Sequence, residues 1–175
     1  MVHDRRVTFA RKWLRRAREA EDEFDCFFSA WIALVVAAQR NRDSFGRPPE
    51  EDSDRQRVVD YFLDKKTDVM RAVRRHQEEM TWIAHRRGTT YANAIIDTGN
   101  PNLRDLFAKL SRYYVARQPM REDEHVKAIA DLLNKVRNNV FHGVKAYDDK
   151  EDLDLLRKVN PVLLAVLEES EREAG

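Results

Sequence analysis

Apolar residues recur at intervals of three and four through most of this chain, the spacing that gathers them on one face of an α-helix. A first helix is expected over about 7–21, with Val7, Trp13, Leu14 and Ala17 as a thin apolar edge. A second, over about 23–40, is apolar nearly all round through Phe24, Phe27, Phe28, Trp31, Ile32 and Leu34, which predicts a place in the middle of a bundle. Residues 41–54 contain Gly46, Pro48, Pro49 and five acids and read as a loop. Ser53-x-x-Gln56 has capping-box spacing and opens a third helical region to about Arg87, long enough to predict a break near Lys65 to Asp68. A second loop is expected over 88–102, punctuated by Gly88, Gly99 and Pro101, after which Asn102 caps a helix to about Ala116 that Gln118-Pro119 ends. A further helix runs from Arg121 to about Val140. The last spans Leu153 to Glu169, where Asn160-Pro161 either kinks one helix or caps a new one, because an interior proline costs about 3 kcal/mol. The expected fold is all-α: one single-domain bundle of about five to seven helices over 1–175, with its core over about 20–170.

Composition narrows this little but excludes several classes. At 175 residues, with five Gly, five Pro and 42% hydrophobic residues, the chain suits one helical domain that buries a core without staples. Cys26 is the single cysteine, so neither an intramolecular disulfide nor a cysteine-rich zinc site is available. His3, His76, His85 and His125 lack the His-x3-His pairing and companion carboxylate of a metal site, and no metal or cofactor is expected. The longest apolar stretch, Phe24 to Ala38, is interrupted by Asp25 and Ser29 and is too short to span a bilayer. The N-terminal cations are not followed by the apolar segment of a signal peptide, so a cytoplasmic location without membrane association is expected. Net charge is only +1, but residues 1–18 carry seven cations against Asp4. Two readings of that stretch stand: a solvated helix face, or a phosphate-tracking rim in which Arg15 and Arg16 contact RNA.

The chemistry concentrates in Arg137-Asn138-Asn139-Val140-Phe141-His142, which sets a permanent cation, an amide and a near-neutral base within one and a half helical turns, ahead of Gly143. With 23 Arg and 5 His in 175 residues, Arg-x4-His is expected about once by chance, and a second copy does occur from Arg71 to His76, so context must decide between them. At 100° per residue, Arg137 falls about 20° from both Val126 and Ala130, on the apolar stripe of its helix. Asn138 and His142 are four apart and share a neighbouring face, and Gly143 offers a helix stop. Arg71 instead lies off the stripe of Val69, Met70, Val73, Met80 and Ile83, precedes Ala72 rather than an amide, and reads as surface.

These side chains suit RNA cleavage without a metal. A histidine, with an unperturbed pKa of about 6.5, can take the 2′-hydroxyl proton or supply one to the leaving 5′-oxygen, which casts His142 as acid/base. The planar fork of Arg137 matches phosphate oxygens, and Asn138 can orient His142 or bond the phosphate. One copy supplies one histidine, which favours a site shared across a two-fold homodimer through the motif helix. Asn139 and Lys145 either contact RNA or face solvent, and Tyr113 and Tyr114 either stack bases or pack in the core. Arg137 paired with an acid in a structural network, and His142 capping its own helix, are the plain alternatives.

The run Lys135-Val136-Arg137-Asn138-Asn139-Val140-Phe141-His142-Gly143-Val144-Lys145 resembles the signature of the HEPN superfamily: Arg, a polar residue, variable positions and then His, near the end of a late helix. The resemblance extends more loosely from about Phe24 to Leu167. It implies a four-helix core, a metal-independent endoribonuclease with Arg137, Asn138 and His142 at the motif positions, and a dimer in which two motifs face one cleft. It also implies a toxin or antiphage-defence role with a neutralising antitoxin as partner. A subgroup of the family carries Tyr two residues after the His; this chain has Val144 there, so regulation through that tyrosine is not implied. Other members are non-catalytic, and a module that binds nucleotide, RNA or a protein partner is the alternative.

Overall fold

An amphipathic helix must bury its apolar stripe against another element, and this chain meets that demand with helices alone among the described residues. The computed structural model describes residues 5–44, 53–85, 101–141 and 150–172, without the side chains of residues 101, 102, 141 and 151. The helices are α1 (Arg5–Glu19), α2 (Glu23–Ser44), α3 (Asp54–Asp64), α4 (Lys66–Arg75), α5 (Gln77–His85), α6 (Pro101–Tyr114), α7 (Glu122–Phe141) and α8 (Lys150–Arg172). Among the described residues that is one beyond the five to seven expected, because the third helical region breaks twice, at Lys65 and again at His76. No helix among the described residues is long and apolar enough to cross a membrane.

α2 occupies the middle, as its all-round apolar sequence predicts: it packs on α1, α8 and α3 and touches α7. Phe27, Ala30, Trp31 and Leu34 are buried in one continuous core with Phe62, Ile129, Leu133 and Leu163. Its closure is incomplete, since Phe28 is exposed. α3, α4 and α6 flank α7, while α8 closes the bundle against α2, α4 and α5. α3 runs antiparallel to α7: Asp54 and Arg55 at its start face Arg137 and Asp131 late in α7 (3.6 Å, and 2.7 and 3.0 Å), whereas Lys66, just past its end, reaches Asp123 (2.6 Å) near the start of α7. The end of α7 thereby lies beside the beginning of α3.

Several boundaries differ from the periodic reading. Residues 41–44 continue α2, and Asp54 already begins α3, so the expected 41–54 loop is shorter at both ends. Ser53 does cap α3, accepting from the Gln56 N–H at 3.3 Å, but the Gln56 amide turns forward to Asp60 (2.9 Å) instead of closing the box. α6 starts at Pro101, whose missing N–H is harmless in a first turn, so Asn102 lies inside the helix rather than capping it. The expected 88–102 loop otherwise lies outside the described residues. α8 passes through Pro161 as one helix; next to it the buried Asn160 donates to the Glu23 backbone carbonyl (3.0 Å) and to its carboxylate (2.8 Å), fastening α8 to the start of α2.

Candidate phosphate-handling site at the end of the seventh helix

Between His125 and Val136 α7 buries its core-facing residues, among them Ile129, Leu133 and the amide of Asn134, while Lys127 stays exposed, and the helix then leaves the core. Residues 137–140 are all half-buried, and Arg137 is the first of them. It follows the apolar stripe to the point where the core ends, so its aliphatic stem lies over apolar surface while its head reaches solvent. The guanidinium carbon lies 5.8 Å from the centroid of the Trp31 ring, within cation–π range. Nη1 donates to Asn138 Oδ1 at 2.9 Å, and Nη2 stands 3.6 Å from Asp54 Oδ2. Three helices therefore position one cation: α7 carries it, α2 supplies the ring beneath it, and α3 supplies the acid in its first turn.

The pairing with Asp54 is loose. At 3.6 Å, with the carboxylate side chain 42% exposed, it is a surface ion pair, a class worth about 0–1 kcal/mol. Asp54 is also shared, since its Oδ1 accepts from Arg57 Nη1 at 3.2 Å. Arg137 is thus held in orientation by Trp31 and Asn138, and an incoming phosphate oxygen can replace the Asp54 carboxylate at the guanidinium. The Asn138 oxygen is occupied by Arg137, which leaves its amide nitrogen as the group available to a ligand or an imidazole.

Of the residues expected at the site, Arg137 and Asn138 are brought together; Asn139 is half-buried beside them rather than fully solvent-facing; His142 and Lys145, with Gly143 and Val144, lie outside the described residues. Arg15 and Arg16 are exposed on α1, which packs on α2 and α8. Arg16 pairs with Asp25 (3.4 Å) and lies over Trp13 (5.3 Å), and neither cation is joined to Arg137 by a hydrogen bond or ion pair. Tyr114 packs in the core, its hydroxyl 2.6 Å from Nε2 of the buried His125, and Tyr113 lies against the same imidazole (ring centroids 4.1 Å). Burial, and then the Arg74 charge, push His125 down to about 4, so this histidine is a neutral core residue at physiological pH. Burial and the acids Glu23, Asp25 and Asp22 push the Cys26 thiol up to about 11, which removes it as a nucleophile. Among the described residues no three His, Cys, Asp or Glu side chains gather as a metal site would require.

Trp31 and Asp54 are the participants that periodicity missed. Trp31 read as one more core residue of α2, and Asp54 as part of an acidic loop; only the antiparallel packing of α3 on α7 brings them to Arg137. A wider groove of about 950 Å³ lies elsewhere, along α5 between His76, Trp82, His85 and Arg117. Two of its guanidinium groups are already committed, Arg74 to Glu122 at 3.2 Å and Arg75 to Glu169. No family model, no curated protein and no solved structure matches this chain.

Proposed function

We propose that this chain is a metal-independent RNA endonuclease of the HEPN type, acting as a cytoplasmic homodimer in which two Arg-x4-His motifs form one cleft. The observation that carries this reading is Arg137: a cation on the core-facing stripe of α7, backed by Trp31 and Asn138 and facing the exposed Asp54 carboxylate at 3.6 Å. In the proposed reaction His142 removes the 2′-hydroxyl proton of the substrate. The 2′-oxygen attacks the adjacent phosphorus while Arg137, from which the phosphate has displaced Asp54, takes up the charge of the phosphorane. The P–O5′ bond then breaks, the leaving oxygen receives a proton from the second copy's motif, and the products are a 2′,3′-cyclic phosphate and a 5′-hydroxyl. Toxin or antiphage-defence activity restrained by an antitoxin follows from the same reading: expression slows host growth, and His142→Ala relieves it.

Incubation of the purified protein with RNA in EDTA tests the core of the proposal. Cleavage is expected for the wild type and its loss for Arg137→Ala and His142→Ala; absent cleavage, or cleavage unchanged in both variants, overturns it. One observation favours a second reading, a non-catalytic HEPN-like module: Arg137 already has a carboxylate at hand, as a structural arginine would. That reading expects binding of RNA, nucleotide or a protein partner without turnover, abolished by Arg137→Ala.

A further inference from the structure

The central helix leaves one apolar stripe open. Phe28 is 39% exposed, and Ile32, Val35 and Val36 are half-buried, although the other faces of α2 lie in the core. At 100° per residue these four span about 100° of the helix. α1 runs along this side. It buries Ala10, Leu14 and Ala17 and leaves Phe9, 48% exposed, on its outer face together with Arg5, Lys12 and Arg16. A hollow of about 400 Å³ results, walled by Phe9, floored by Val35 and Val36, and rimmed by Arg5, Arg6 and Arg57. Arg6 pairs with Asp43, and Asp43 also accepts from the amide of Gln39 (2.7 Å), another lining residue.

An aromatic ring and aliphatic side chains lined with guanidinium groups favour a ligand that is planar and apolar on its faces and anionic at its edge. A nucleobase with its phosphate has that form, and the volume falls at the small end of ligand pockets. The hollow is also contiguous with the motif through one carboxylate: Asp54 Oδ1 meets Arg57 on its rim at 3.2 Å, and Asp54 Oδ2 faces Arg137 at 3.6 Å. A chain of phosphates lying on Arg57 therefore leads toward Arg137.

We infer that the hollow is a base-binding subsite for single-stranded RNA, in which Phe9 stacks the base of a nucleotide flanking the phosphate at Arg137 and Arg57 contacts its backbone; the identity of the polymer rests on the ribonuclease reading. The test uses fully 2′-O-methylated oligoribonucleotides, which cannot be cut by 2′-oxygen attack, binding the full-length wild-type chain and its variants by fluorescence anisotropy. Phe9→Leu, which keeps the apolar bulk and loses the π face, is expected to weaken binding about 5- to 50-fold, while Phe9→Trp stays within about 3-fold of wild type. An abasic ribose at one position of the oligonucleotide should weaken the wild type equally and add nothing to Phe9→Leu. Arg57→Gln should flatten the salt dependence by about one phosphate contact. Equal affinity for wild type and Phe9→Leu overturns the subsite, as does a wild type that binds none of the oligonucleotides. So does a Phe9→Leu variant that becomes monomeric in sedimentation, which makes the face an interface between copies, or one that loses only binding to vesicles of anionic lipid. Cleavage of ordinary RNA, measured in parallel, separates the two claims. Cleavage lost in His142→Ala with affinity indifferent to Phe9 sinks the subsite alone, whereas Phe9-dependent binding with no cleavage sinks the ribonuclease alone.

Discussion

Arg71 and Arg137 both begin an Arg-x4-His run, yet the fold puts them to opposite uses. Arg71 on α4 reaches Asp68 (3.2 Å) and Glu169 (3.1 Å), and the Glu169 side chain is 1% exposed. Arg75 and Arg172 (3.1 Å) converge on the same carboxylate, and these arginines, Arg75 foremost, hold the Glu169 carboxyl below the usual carboxylate range. A buried acid at the end of α8, where the helix dipole disfavours a negative charge, requires such company. Arg71 lies on the surface, as its position off the apolar stripe predicts, but it is part of a clamp joining α4 to α8. Arg137 has a carboxylate that is itself 42% exposed and shared with Arg57, and an indole face beneath it. An arginine bound to a buried acid is structural; one oriented by an aromatic ring and an amide, with an exposed acid beside it, can exchange that acid for a phosphate.

Activity gives the largest expected separation between the two sites. His142→Ala and Arg137→Ala should each lower RNA cleavage in EDTA by about 10² to 10⁴-fold, the usual contribution of a general acid/base or a phosphate-stabilising group. Arg71→Ala and His76→Ala should stay within about 2-fold of wild type; equal losses at both sites would erase the distinction. A third imidazole, His125, predicts a pH effect on stability independent of either motif. Its folded-state pKa of about 4 lies below the unfolded value of 6.5, so its contribution is complete above pH 6.5 and is lost as pH falls toward 4. The loss amounts to about 3 kcal/mol by denaturant titration, and His125→Gln should flatten the curve over that window.

Stability orders the two arginine sites the other way. Glu169→Ala leaves Arg71, Arg75 and Arg172 facing one another and should lower Tm by several degrees, whereas Arg137→Gln removes a surface ion pair and should cost no more than about 1 kcal/mol. Calorimetry of the two variants checks this, and a larger loss from Arg137→Gln would make that residue structural. The smallest effect belongs to Asp54→Asn. Releasing Arg137 from its carboxylate should strengthen binding of an uncleavable oligoribonucleotide by about 2- to 5-fold at low salt, in keeping with a pair worth under about 1 kcal/mol.

The two regions also mark how far periodicity reaches. The stripe of α7, the all-apolar α2 and the break near Lys65 are readable because burial repeats with the helical period, and each is found. The second break at His76 is not, since Val73, Met80 and Ile83 keep their spacing across it. The same pattern gives no sign that the outer stripe of α2 stays open, because coverage depends on where α1 lies rather than on α2. Buried polar groups escape it as well: Asn160, Glu169 and Glu171 lie inside because partners from α2 and α4 reach them, and partners distant along the chain leave no local period.

The sequence by itself determined the helical class, the central place of α2 and the choice of Arg137 over Arg71 as the residue to follow, since all three rest on which apolar positions share a face. Tertiary structure alone decided what surrounds that arginine. Trp31, Asp54 and Arg137 are separated by 23 and 83 residues, and they meet only because α3 packs antiparallel to α7 with α2 beneath. The physical reason is one of range: amphipathicity is written within a few turns of chain, whereas ion pairing and ring contact depend on which helix ends the packed core brings together.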